Sequence, residues 1–190
     1  MANADTPFGL RPVRHRNGAP YNGAATRYYV PASDSTALFI GDPVIFAGSA
    51  DANGVASVTR ASAAGGAYML GPVVAVEPVT ADSLPYRAAS TERYVWVADD
   101  PDLVFEIQED SVGGALAAAD IGLNADIVIA AGSTATGRSG VELDTSTKAT
   151  TNTLQLRILG LVQRPDNEVG ANAKVLVTIN LHSLRNLTGI

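Results

Sequence analysis

Apolar residues in this chain come in short runs of β-branched and aromatic character, separated by turn residues, and that pattern commits it to β-structure. In Lys174 to His182, Val175, Val177, Ile179 and Leu181 fall on one face of an extended strand, while Thr178, Asn180 and His182 fall on the other. Leu103 to Gln108 repeats the rule. Leu103, Phe105 and Ile107 point one way and Glu106 and Gln108 the other, which predicts a half-buried sheet. Further strands are expected at Arg27 to Val30, Ala37 to Ile40, Pro43 to Ala47, Val55 to Thr59, Met69 to Glu77, Tyr94 to Ala98, Ile127 to Ala130 and Leu154 to Val162. The one plausible helix, Ser111 to Ala119, is short and weakened by Gly113 and Gly114.

Turn chemistry orders these strands. Asp51-Ala52-Asn53-Gly54 carries the Asn-Gly pair of a tight hairpin. Asp99-Asp100-Pro101-Asp102, with Pro101 preset for a type I turn, predicts a second hairpin joining Tyr94 to Ala98 with Leu103 to Gln108. Gly41, Gly71 and Gly160 each follow an apolar residue and precede a Val by two or three positions, as expected where a sheet bends hard. Three such corners suit a compact β-barrel or sandwich-like domain. The expected organisation is an extended, irregular N-terminal arm over residues 1–26 and a single β-rich domain over 27–190. Within that domain a Ser/Thr/Gly-rich excursion spans about 132–153, with the brief strand Val141 to Leu143 inside it.

The arm has its own character. Pro7, Pro12 and Pro20 with Gly9, Gly18 and Gly23 forbid a helix, yet Phe8, Leu10, Val13 and Tyr21 are spaced through it and need cover. Twenty such residues could reach at most about 65 Å. Residues 1–30 hold four arginines, Arg11, Arg14, Arg16 and Arg27, against Asp5, a net +3; the remainder holds nine basic and eighteen acidic groups, a net −9. The basic arm either folds back on its own acidic body or straps onto a partner's acidic surface.

With 46% hydrophobic and 17% charged residues, 190 residues can bury roughly 70% of their unfolded surface, so a globular fold is expected. The net charge of −6 argues against nucleic acid, which needs a basic stripe. No apolar run approaches the roughly 18 residues of a membrane span, and Met1 to Arg11 lacks the pattern of a signal peptide, so synthesis in a cytosol-like compartment is expected. The absence of Cys agrees with it.

Little in the sequence resembles catalytic machinery. The histidines are His15 and His182, the lysines Lys148 and Lys174, and no Gly-x-Ser-x-Gly elbow exposes a serine for His182. Zinc spacings and phosphate-cradling glycine motifs are missing; the Gly65-Gly66 and Gly113-Gly114 pairs lack a strand-to-helix setting. Asp99, Asp100 and Asp102 could offer oxygen ligands to a hard cation, but without EF-hand order they read as an Asp/Pro turn. Glu106, or Glu109 with Asp110, could join Asp102 as a glycosidase pair, though nothing fixes their separation. Tyr94 and Trp96, on one strand face, could form a sugar-stacking platform, a core pair or an interface. Asn186-Leu187-Thr188 fits a glycosylation acceptor, without meaning in a chain with no secretory signal. No cofactor is expected.

Several segments resemble the head decoration, cement or capsid-stabilising proteins of tailed bacteriophages. They are Ala2 to Arg16 with Asn17 to Tyr21; Tyr28 to Pro31 leading to Ala37 to Val44; Phe105 to Asp110; Asp120 to Ala125; Leu159 to Asn167; and Ala173 to Val177. The resemblance extends along most of the chain, from Ala2 to Val177. The resemblance implies a non-enzymatic structural virion protein: a compact β domain made in the host cytoplasm, docked on the capsid exterior, and bracing the head. Its partners would be the major capsid protein and, commonly, two further copies of itself in a trimer, with neither nucleic acid nor membrane. The arm residues Phe8, Leu10, Arg11, Arg14, Arg16 and Tyr21 are then expected against capsid subunits or a neighbouring protomer. Other virion roles, in a tail or baseplate or as a carbohydrate-binding module, are the alternative.

Overall fold

The computed structural model of the protein describes residues 3–185. Their strands are β1 (Arg11–His15), β2 (Thr26–Val30), β3 (Pro43–Ala50), β4 (Ala56–Arg60), β5 (Gly71–Val76), β6 (Arg93–Val97), β7 (Leu103–Gln108), β8 (Asn124–Ala125), β9 (Ile127–Val128), β10 (Glu142–Leu143), β11 (Leu156–Leu161) and β12 (Lys174–Ile179). The protein is mainly β, and among the described residues the helical content is three single turns at Ala118–Asp120, Thr145–Thr147 and Ser183–Arg185. The helix expected at 111–119 is absent. Gly113 and Gly114 take positive φ values of 76° and 115°, which a helix does not admit, and Ser111 does the same at 59°.

Two ladders organise the strands. In the first, β2 pairs with β6 and β4, β4 with β3, β3 with β5 and β5 with β6, so five strands return on themselves in a ring. The ring closes through a single parallel pair, Tyr29 opposite Ser57. Its interior holds Val30, Leu38, Val44, Val58, Leu70, Val73, Val95 and Val97. The second ladder is an antiparallel sheet in the order β1-β7-β12-β11-β8. Leu103, Phe105, Ile107, Leu156, Ile158, Val175, Val177 and Ile179 make a separate, larger core beneath it. β9 and β10 pair beside that core. Val141 and Leu143 enter it, so the middle of the Ser/Thr/Gly-rich excursion is packed down.

The Asn-Gly loop joins β3 to β4 as expected: Gly54 sits at φ 82°, and the Asp51 carboxylate accepts from the amides of Asn53 and Val55, both at 2.8 Å. The second expected hairpin does not form. β6 pairs with β2 and β5 in the ring, whereas β7 pairs with β1 and β12 in the sheet. Residues 98–102 are a corner between the two ladders, because Val95 and Val97 serve one core and Leu103, Phe105 and Ile107 the other. A turn sequence fixes a reversal of local direction, and the side-chain faces decide which sheet each arm joins.

Two of the three glycine corners, Gly41 and Gly71, are places of close backbone approach. A Cβ on Gly41, at φ 99°, would lie 2.2 Å from the Phe8 carbonyl oxygen, and one on Gly9 would lie 2.3 Å from that of Gly41. This crossing lets the Leu10 amide donate to Gly41 O at 2.9 Å and ties the N-terminal segment, seated on the sheet, to the start of the ring. Gly160 lies beside a register shift between β11 and β12.

The irregular loops on the other side of the ring are organised by Arg87, which is wholly buried. Its guanidinium donates to the carbonyls of Thr91 (2.7 Å), Pro31 (2.8 Å), Asp34 (2.7 Å) and Thr36, with the Asp34 carboxylate at 3.8 Å. Planar, multiply donating and permanently charged, arginine alone satisfies so many converging carbonyls. Arg87→Met should cost about 3–5 kcal/mol of unfolding free energy, since it strips the Thr36 and Thr91 carbonyls of their guanidinium donor, leaves Pro31 O and Asp34 O with one backbone donor each, and leaves the Asp34 carboxylate without its cation. Urea denaturation checks this, and a loss under about 1 kcal/mol would mean that water replaces the guanidinium.

Candidate functional site

The N-terminal segment is seated on the protein's own sheet. Asn3 binds the 168–171 turn, donating from Nδ2 to the carbonyls of Glu168 and Ala171 at 2.9 and 2.8 Å and accepting from the Glu168 amide at 2.9 Å. Thr6 N donates to Gln108 Oε1 at 2.9 Å, and Gln108 Nε2 donates to Asp5 and Glu142 at 2.9 and 2.8 Å. Leu10 is 1% exposed within the sheet core, and β1 then adds to the edge of β7. The outward face of β7, expected in water, is therefore covered, and Glu106 is only 3% exposed. Arg11 forms a hydrogen-bonded ion pair with Glu106, and Arg164 Nη2 approaches its other oxygen at 3.0 Å.

Of the arm residues expected to meet a partner, Leu10 is corrected outright: it lies in this molecule's own core. Tyr21 packs partly buried against that core and donates to Ala24 O at 2.9 Å. The basic groups turn back on the acidic body, the first of the two readings of the arm. His15 Nδ1 lies 3.2 Å from Asp100, Arg16 lies 3.8 Å from Asp102, and the Arg16 amide donates to Asp102 O at 2.8 Å. Arg14 donates to the His15 carbonyl at 3.3 Å. Phe8 is half-buried under the Arg11 guanidinium, 5.0 Å from its ring centroid.

Two adjoining clefts flank this segment. One, of about 320 Å³, is apolar and lined by Phe8, Leu10, Pro12, Tyr21, Ile40, Val73 and Val74. The other, of about 510 Å³, runs between residues 6–11 and 131–140 and gathers Arg11, Arg138, Arg164 and Lys174. They share Phe8, Arg11 and Arg138. Sequence reading singled out Arg11 but missed the other three cations. They are scattered over the last third of the chain and meet only because β12 lies beside β7 and the 131–140 loop faces residues 6–8.

The groups considered for chemistry are committed elsewhere. Asp99 accepts from Thr26 Oγ1 at 3.0 Å and Tyr28 OH at 2.7 Å, while Asp102 pairs with Arg185 and Arg16, so the acidic turn is neutralised by its own neighbours. Glu109, fully buried, accepts from the amide and hydroxyl of Ser111, both at 2.9 Å, and holds that residue's positive φ. Asp110 accepts from Thr145 N and Oγ1 at 3.1 and 2.9 Å. Tyr94 and Trp96 do not form an open platform: the Arg27 guanidinium lies 3.4 Å from the Tyr94 ring centroid, held there by Glu77 at 2.8 and 3.0 Å. Trp96 is 37% exposed beside a shallow groove with Tyr21. The Asn186-Leu187-Thr188 acceptor lies outside the described residues.

His182 is buried where residues 181–183 bridge to Met69. Its Nδ1 accepts from Leu184 N at 3.2 Å, and Nε2 has no hydrogen-bond partner among the described residues, so no serine relay is assembled. Burial and the nearby Arg185 hold the imidazole down to about 4, against an upward pull from Asp99 and Asp100. Compared with known proteins, the chain matches no family model, no curated protein and no solved structure.

Two measurements follow from this geometry. Leu10→Ala should lower unfolding free energy by about 2–5 kcal/mol in urea titrations; an unchanged midpoint would return the segment to the status of a free strap. Acidification should also destabilise the protein through His182, because the unfolded chain takes up a proton near pH 6.5 and the folded one not until about 4. The stabilising difference is complete above pH 6.5 and is lost as pH falls to about 4, by about 3 kcal/mol. Subtracting the pH–stability curve of His182→Gln from that of the wild type isolates it, and parallel curves would refute it.

Proposed function

We propose that this protein is a structural component of a tailed-phage virion, bound to the outer surface of the capsid as a decoration or cement protein and stabilising the head. The observation that carries the reading is where the resemblance-bearing segments meet. Residues 3–16, 40–44, 105–110, 159–167 and 173–177 are distant in sequence, yet they converge on one unit built around the N-terminal segment, while the resembling residues 28–31 belong to the ring and 120–125 to the opposite edge of the sheet. Asn3 ties it to 168–171, Gly9 crosses Gly41, and Arg11 and Arg164 share Glu106. Asn167 seals the same unit, accepting from Lys174 N and donating to Lys174 O, both at 2.8 Å. A likeness most of whose segments meet in one piece of architecture is what a common docking fold would preserve.

The carboxylates of Asp99, Asp102, Glu109 and Asp110 and the imidazole of His182 hold loops and strands in place, which supports a binding role without turnover. The partners in this reading are the major capsid protein and two further copies of the chain. A trimer suits it because three modest footprints on a symmetric lattice gain avidity from rigid connection. The net charge of −6 weighs against nucleic acid as a partner. A carbohydrate-binding module of a tail or baseplate is the second reading, favoured by the exposed Trp96 beside its groove.

Purified protein added to mature heads that lack it should co-sediment with them at a saturating, lattice-defined copy number, and those heads should retain DNA to a higher temperature. Failure to bind the heads, or binding to glycans in their place, would overturn the first reading in favour of the second.

A further inference from the structure

The two adjoining clefts differ in chemistry and share a wall, and that combination identifies an occupant. In the larger cleft, the cations Arg11, Arg138, Arg164 and Lys174 are met by two carboxylates among the described residues: Glu106, which serves Arg11 and Arg164, and Asp166 at 3.5 Å from Arg164. Lys174 and Arg138 have no carboxylate partner there. The Lys174 residue is 8% exposed, and the hydrogen bond given for its ammonium goes to the Ala4 carbonyl at 3.2 Å. A lysine whose side chain is held against the cleft wall, with a neutral carbonyl as its hydrogen-bond partner, meets an arriving anion at a smaller ordering cost than a free surface lysine. Arg138 is exposed on the opposite wall and stands over both clefts.

We infer that this composite cleft binds an extended acidic peptide segment of a partner protein, its carboxylates between Lys174 and Arg138 and an adjacent apolar side chain in the neighbouring pocket. Because Phe8, Arg11 and Arg138 line both spaces, the apolar residue and the carboxylates lie within a few residues of each other, at about 3.3 Å per residue of extended chain. The apolar wall of Leu10, Tyr21, Ile40 and Val73 offers nothing to phosphate or a sugar–phosphate backbone. The acidic body around a short cationic groove also repels a long polyanion, while a short segment with two or three carboxylates is attracted. The site does not depend on the partner being a capsid subunit, so it can fail or succeed independently of head binding.

Fluorescence anisotropy with labelled hexapeptides tests it on the full chain. The probe carries two adjacent glutamates two residues from a leucine; the controls replace both glutamates with glutamine, or the leucine with glycine. Saturable binding of the probe below about 1 mM is expected, weakening as salt rises, with each control at least tenfold weaker. Arg138→Gln, at an exposed position, and Lys174→Met should each weaken the probe about tenfold or more, while Arg93→Gln, at the start of β6 and lining neither cleft, leaves it unchanged. Should Lys174→Met fail to fold, Arg138→Gln carries the test alone. Equal binding of the glutamine peptide, indifference to Arg138→Gln, or tighter binding of inorganic phosphate or a single-stranded oligonucleotide would overturn the assignment.

Discussion

The Glu106 carboxylate, buried between Arg11 and Arg164, is the interaction on which the sheet half of this molecule depends. An ionised group so far from water costs several kcal/mol unless opposite charges reach it. Both partners come from elsewhere in the chain: Arg11 opens β1 and Arg164 lies in the connection from β11 to β12. Satisfying one carboxylate therefore fixes the edge strand of the sheet and the return of its central hairpin together. The crossing of Gly9 over Gly41 is a steric consequence, because a segment that must deliver Arg11 to β7 has to pass the start of β3 at backbone contact distance.

The same device recurs wherever the chain is irregular. Arg87 gathers the carbonyls of two loops, Glu109 anchors the strained Ser111, and Asp110 holds Thr145. Buried polar groups of this kind add little net stability compared with apolar replacements, but each is costly to leave unmet, so they exclude alternative loop conformations. A protein rich in loops and short strands gains a single defined surface this way.

Local patterns were legible in the sequence, and their long-range consequences were not. The alternation in Leu103 to Gln108 and in Lys174 to Ile179 marked β7 and β12, and Asn53-Gly54 marked the β3–β4 loop, because each depends on neighbours only a few residues away. The Asp99–Asp102 turn misled, since its residues specify a reversal while the partners of β6 and β7 are chosen by two distant cores. The arm misled for a related reason. Its prolines and glycines exclude regular periodicity, yet five residues still reach a sheet edge, with a register shift between Pro12 and Arg14 absorbing the irregularity. Phe8 and Arg11 stand out in the sequence as part of the Pro/Gly-rich N-terminal segment, whereas Arg138, Arg164 and Lys174 become their neighbours only through the sheet order.

Charge placement joins these observations. The excess of acid over base in the body is partly offset inside the molecule, as Arg16 and Arg185 meet Asp102 and Arg27 meets Glu77. Lys174 and Arg138 fall outside this pattern, and both line the cleft where the N-terminal segment meets the 131–140 loop. Positive potential concentrated in a concave strip of an otherwise acidic surface has two effects on association. It orients an approaching acidic segment toward the strip, and it repels that segment from the rest of the surface, so encounter and specificity arise from the same distribution of charge.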